Sequence, residues 1–110
     1  MIISKSKFKI KNPLVLPLNK DDISIKPPIS EKIKTGYITL KKGEEIGEHM
    51  TDDREEIIII LDGVAKITVE GENKEIKKNH LIFIPANKKH NLKNIYSQAL
   101  KYIYIVAPIK

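Results

Sequence analysis

The sequence predicts an all-β fold, a sandwich or barrel of short strands, on three observations. From Lys34 onward, segments rich in Ile, Val and Tyr recur roughly every 8 to 12 residues, each bounded by a turn signal. No stretch holds the long apolar period of an amphipathic helix. A chain of 110 residues is one domain by length and buries roughly two thirds of its surface, enough for a real core.

The elements follow in chain order. Four of the six prolines (Pro13, Pro17, Pro27, Pro28) lie in the first thirty residues, where "KPPIS" fixes extended backbone and removes two ladder donors. Residues 1–33 are therefore read as an extended arm with short strands, packing on the barrel or, by preference, adding an edge strand to a partner subunit. Residues 34–110 form the barrel. Its strands are "TGYITL", then after the turn "KKGEE" the segment "EEIIIIL", then "VAKITVE", "KEI", "HLIFIP", "HNLKNI" and "LKYIYIVA". Asp62-Gly63 predicts a type I′ hairpin, because that turn needs positive φ at both central residues. Glu70-Gly71-Glu72-Asn73 predicts another turn.

Composition excludes several classes. With no cysteine, disulfides and thiolate metal sites are ruled out, leaving His, carboxylate or hydroxyl ligands. The net charge of +6 rests on nineteen lysines and a single arginine, Arg54, scattered among acids, with six aromatic residues in all. Nucleic-acid binders add arginines for bidentate contacts and aromatics for stacking, so no nucleic acid is expected. The longest aliphatic run, Ile57 to Leu61, is far short of a membrane span, and "MIISKSK" lacks the apolar stretch of a secretory signal. No membrane association and a cytoplasmic location are expected.

Two spacings carry chemistry. Gly43 is followed by five residues, His49, Met50, Thr51, four residues, Glu56, six residues and Gly63. Further on, Asn79 is followed by five residues, Pro85, Ala86, Asn87, two residues, His90, three residues and Asn94. Together these resemble the two motifs of the cupin superfamily, in the right order, over about residues 36–107. The first motif reads Gly, His-x-His, Glu, Gly; the second reads Gly, Pro-x-Gly, His, Asn. Thr51 stands where the second histidine would be, and Asn79 and Asn87 stand where glycines would be. Asn is the commonest non-glycine residue in left-handed backbone, so both turns survive the replacement.

The resemblance implies a double-stranded β-helix, or jelly roll, with a divalent metal inside the barrel (Fe, Mn, Zn, Ni or Co). Carried over residue by residue, it implies His49, Glu56 and His90 as ligands. Strand alternation agrees, since His49 and Thr51 share a face of their strand, as do Glu56, Ile58 and Ile60 on the next, and the inner faces of such strands converge. Two imidazoles and one carboxylate suit these metals, whereas a threonine hydroxyl is a poor ligand for them. The third histidine, His80, falls outside the ligand pattern and is read as a surface residue.

Neighbouring residues complete the expectations. Glu55 points away from Glu56, and Met50 away from the metal. Arg54 is expected to pair with Asp52, Asp53 or a nearby Glu in preference to recognising an acidic substrate. Thr51, Ile58, Tyr102 and Tyr104 are candidates for a pocket, although sequence leaves open whether the tyrosines or Ile103 and Ile105 face inward. Asn94 is expected to hold a strand end, and Pro85 and Asn87 to make a turn. The expected protein is a metal-binding homodimer that takes a small oxygenated organic molecule, with oxygenase or isomerase chemistry open, the alternative being a non-catalytic binding or oligomerisation role with a degenerate metal site.

Overall fold

The structure, a computed structural model, describes residues 12–18 and 23–110. Among these there is no helix. The strands are β1 (Ser24–Ile25), β2 (Lys34–Leu40), β3 (His49–Met50), β4 (Arg54–Asp62), β5 (Val64–Val69), β6 (Glu72–Lys77), β7 (Leu81–Ile84), β8 (Lys89–Lys93) and β9 (Leu100–Pro108). They form two antiparallel sheets, a five-stranded one in the order β1-β2-β9-β4-β7 and a four-stranded one in the order β3-β8-β5-β6. Each predicted barrel segment is one of these strands.

Alternation decides which side chains meet. On β4, Glu56, Ile58 and Ile60 are buried while Ile57 and Ile59 are partly exposed. Ile58 lies opposite Tyr104 and Ile60 opposite Tyr102, so the even-numbered residues of β4 and β9 share the inner face. The four-stranded sheet supplies Ala65, Ile67 and Leu92 against them, and Ile84 and Leu100 complete the cluster. Along β4 the inward row runs Arg54, Glu56, Ile58, Ile60. One end of the interior is therefore polar and the other is packed hydrocarbon.

The hairpin expected at Asp62-Gly63 is overturned. β4 is hydrogen-bonded to β7 on one side and β9 on the other, which leaves no free edge for β5, and β5 belongs to the opposite sheet. Asp62-Gly63 is instead the corner where the chain crosses between sheets. Gly63 has φ +83°, and a Cβ there would lie 2.7 Å from the Ala99 carbonyl oxygen and 3.1 Å from the Leu100 Cα, so close backbone approach also demands glycine. The type I′ signature appears one turn later. Val69 pairs with Glu72, and the two residues between, Glu70 and Gly71, have φ of 49° and 81°.

Asn79 and Asn87 have φ of 68° and 64°, the left-handed backbone expected of residues standing for glycine. Asn94 ties strand ends together as expected. Its amide donates to the Leu40 carbonyl at 3.0 Å and the Gln98 carbonyl at 2.9 Å, and its side-chain oxygen accepts from the Tyr96 N–H at 3.0 Å.

In the arm, β1 adds an edge to its own chain's sheet, with Ser24 opposite Gly36 and Ile25 opposite Thr35. Leu14, Leu16 and Leu18 border a shallow hollow with Ile25 and Ile103 on that sheet's outer face. The rest of the arm, residues 1–11 and 19–22, lies outside the described residues. Beside the hollow, the outer face carries Ile57, Ile59, Ile103 and Ile105, flanked by Leu81 and Phe83, which are 58% and 50% exposed.

Candidate metal centre

Three strands bring His49, Glu56 and His90 together. β3 pairs with β8 so that His49 and His90 are direct partners, and directly opposed residues face the same side. Their rings lie 4.2 Å apart at a tilt of 60°. β4 faces them from the other sheet, and the Glu56 Oε1 lies 3.0 Å from the His90 Nε2. One ligand atom from each of the three lies within 4.8 Å of the others. Donors about 2.1 Å from a shared ion are at most about 4.2 Å apart, so small side-chain rotations would close the set on a cation. His90 is 1% exposed and Glu56 is 6% exposed, whereas His49 stands at the mouth.

Both ring nitrogens of His90 face oxygen acceptors. Nδ1 lies 3.2 Å from the Lys88 carbonyl oxygen, and Nε2 faces the Glu56 carboxylate. Both neighbours are acceptors, yet a neutral imidazole has one N–H. Something positive has to stand between Nε2 and Oε1, either a proton or a metal. Burial favours the neutral ring, but the hydrogen bond to Glu56, the Lys88 carbonyl and the Glu56 charge outweigh it and raise the pKa above 6.5. The His49 Nδ1 likewise lies 3.1 Å from the Gly47 carbonyl oxygen. In both residues an Nδ1–H donating to backbone leaves Nε2 as the ligand atom, the outer support usual for metal-bound histidine.

Thr51 makes a second test of fit. It is 5% exposed, and its hydroxyl is a buried side-chain polar atom with no hydrogen-bond partner. Such orphans are rare in native structures and point to water or ligand. A hydroxyl beside two imidazoles and a carboxylate fits a hydrated cation as hydrogen-bond partner to its water. It sits beside Glu56 on the wall of a cavity of 250 Å³.

Tyr102 and Tyr104 both line this cavity, which settles the face left open by the sequence. Gly36 makes the arrangement work. It lies opposite Tyr104, and a Cβ there would meet the ring edge and hydroxyl at 2.8 Å. Burial, then the Glu56 charge, raises the pKa of both phenols, with Tyr104 adding to the effect on Tyr102, so each is held as a neutral hydroxyl.

Other expectations need correction. Ile58 shares the inner face but belongs to the packed core, beside Tyr104, and does not line the cavity. Met50 lines the cavity together with His49. Arg54 forms no ion pair with a described residue: Asp53 pairs with Lys110 at 3.4 Å, and Asp52, at φ 56°, occupies a turn whose carbonyl accepts the Arg54 and Asn87 N–H groups. Being two residues before Glu56 on the same strand, Arg54 turns its side chain toward the cavity. Lys34 lines the cavity too and was missed. Its signal was parity with Gly36 and Ile38, readable only once β2 has a known inner face. His80 is exposed, with its Nδ1 at 3.0 Å from the Lys78 carbonyl oxygen, and Glu55 is exposed as expected.

Comparison with known proteins agrees with this architecture. A mannose-1-phosphate guanylyltransferase of Salmonella montevideo is 40% identical over 75 residues, which are 68% of this chain but 16% of that protein. The chain thus spans a small part of that relative. An RmlC-like cupin family protein from Methanocaldococcus jannaschii with a double-stranded β-helix fold superposes with a TM-score of 0.72 at 23% identity, covering 90% of this chain and 92% of the other. A conserved Streptococcus pyogenes protein of unknown function gives 0.71 at 25% identity, with 93% of each chain covered. The family model for the cupin domain matches residues 36–106, the span that holds both motifs and all three clustered side chains, and the chain belongs to the cupin family.

Proposed function

We propose that this cupin holds one divalent cation (Fe, Mn, Zn, Ni or Co) on His49, Glu56 and His90 and admits a small oxygenated organic molecule to the adjoining cavity. The observation that carries this reading is the convergence of His49, Glu56 and His90, one ligand atom of each lying within 4.8 Å of the others. When bound, the cation would supply Lewis-acid polarisation of an oxygen on the small molecule. The chain's own groups orient that molecule: the Tyr102 and Tyr104 hydroxyls donate, Thr51 offers a buried hydroxyl, and Ile38, Ile46 and Val106 exclude water from the wall. Oxygenase or isomerase chemistry fits a three-residue site with open positions. A non-catalytic binding role is favoured by one observation, that the cavity's one imidazole, His49, and its one carboxylate, Glu56, are both candidate ligands, which leaves no separate general base on its wall.

Metal content tests the reading. Elemental analysis of natively purified protein is expected to give about one transition metal per chain, and none or only traces would refute it. The metal should also raise the melting temperature more at pH 8 than at pH 6. A raised His90 pKa means that the Glu56–His90⁺ pair stabilises the metal-free fold fully below pH 6.5 and is lost as pH rises through the folded value. The metal requires the neutral ring, so its advantage grows in the same direction. A metal-induced shift that shrinks with rising pH would contradict this.

We further infer that the arm (residues 1–33) and barrel (34–110) act within a homodimer, supported by the apolar outer face around Ile57, Ile105 and Phe83. Light scattering should give twice the chain mass of 12.6 kDa, and a monomer at micromolar concentration would refute it.

A further inference from the structure

We propose that the cavity selects a small molecule with two oxygenated ends, one at the His49–Glu56–His90 cluster and the other an anionic group, carboxylate or phosphate, held by Arg54 and Lys34. This rests on the proposed reading of the cluster as a cation site.

Placement comes first. Arg54 and Glu56 are alternate residues on the inner face of β4, about 7 Å apart along the strand. Lys34 lies opposite Val106, and Val106 lies opposite Glu56, so Lys34 stands two strands from Glu56, about 10 Å across the sheet. The two cations therefore flank the way in, at a distance from the cluster that a molecule of several heavy atoms bridges.

Continuity comes second. Arg54, Lys34 and Val106 line the 250 Å³ cavity that reaches His49, Thr51 and Glu56, and they also line a neighbouring hollow of 340 Å³. The pair stands where the two spaces meet. The outer hollow adds Lys26, Lys32 and Glu31, so four bases face one acid there. Within the inner cavity Glu56 is the sole acid, and it belongs to the cluster. Outside the cluster, every polar side chain on that wall offers a donor: two phenols, the Thr51 hydroxyl, the ammonium and the guanidinium.

Arg54 is the strongest part of the case. It is the chain's single arginine, it faces the cavity, and no described acid pairs with it, since the adjacent Asp53 is engaged by Lys110. A guanidinium presents a rigid fork matched to a carboxylate or phosphate. Size narrows the class further. An inner cavity of 250 Å³ is below the usual range for drug-sized ligands, roughly 300 Å³ upward, so the molecule is small.

The test is calorimetric binding of three graded probes to the full chain, with and without added Mn(II). Glycerate carries one hydroxy-acid end; malate adds a second carboxylate, and 3-phosphoglycerate adds a phosphate. Malate or 3-phosphoglycerate is expected to bind about tenfold or more tighter than glycerate, the scale of one charge-assisted hydrogen bond. Which of the two binds more tightly distinguishes carboxylate from phosphate. Arg54→Gln should erase the preference and Lys34→Gln should reduce it, with glycerate affinity and metal content unchanged. Both side chains are exposed, so both variants should fold. Equal affinity for all three probes, no binding of any, or a preference that survives Arg54→Gln overturns the proposal. If elemental analysis shows that Mn(II) is not taken up, the cation reading fails separately. The preference and its loss in Arg54→Gln must then still appear in metal-free protein, and their absence there overturns the anionic subsite on its own account.

Discussion

His49→Ala is expected to lower metal affinity by roughly a hundredfold or more while leaving the fold intact. Loss of an outer partner alone commonly costs ten- to a hundredfold, and loss of a direct ligand should cost at least the upper part of that range. His49 is exposed, and its ring packs against the neighbouring His90 and hydrogen-bonds the Gly47 carbonyl, so stability should change by about 0.5 kcal/mol or less. His90→Ala should lose metal to the same degree but also destabilise the protein, because it leaves the 6% exposed Glu56 carboxylate without its partner. Breaking a buried pair from one side costs about 3–5 kcal/mol, an upper figure here since Glu56 can take up a proton. Metal titration by calorimetry beside urea unfolding separates the two effects. Equal metal affinity in wild type and His49→Ala would remove that residue from the set.

Ile60→Ala carries the largest expected stability loss without touching the cluster. Ile60 is 0% exposed, lies opposite Tyr102, and packs within the apolar end of the interior. Truncating a fully buried isoleucine costs about 2–5 kcal/mol, through lost burial and the cavity left behind. Against a total of about 5–15 kcal/mol for a domain, that is a large fraction. Ile59→Ala, one residue away on the outer face, should cost clearly less. Urea unfolding of the two variants checks the alternation of β4, and equal losses would contradict the inward and outward assignment.

The strands were legible because period-two alternation and turn residues are local signals. Pairing was not. Asp62-Gly63 encodes positive φ at a tight reversal, but a hairpin also needs a free edge on β4, and both edges are occupied by β7 and β9, segments distant in sequence. Glu70-Gly71 lacks the favoured Asn or Asp yet makes the I′ turn, because β5 and β6 are direct neighbours in the sheet.

The cluster was legible through the spacing of two motifs. Nothing in His90 itself announced a meeting with Glu56 across the interior. Alternation placed Tyr102 and Tyr104 on one face without saying which, and the deciding feature was Gly36 on the neighbouring strand, which clears space for the Tyr104 ring. Arg54 shows the reverse case. Its parity with Glu56 already aimed it inward, but the nearby acids Asp52 and Asp53 suggested an ion pair that the turn geometry withholds.

The most direct measurement is a crystal structure of protein grown with Mn(II) or Fe(II), read by anomalous scattering. The account predicts one peak within about 2.3 Å of the Nε2 atoms of His49 and His90 and of a Glu56 carboxylate oxygen. A fully occupied metal held elsewhere, or no peak with His90 still hydrogen-bonded directly to Glu56, would contradict it.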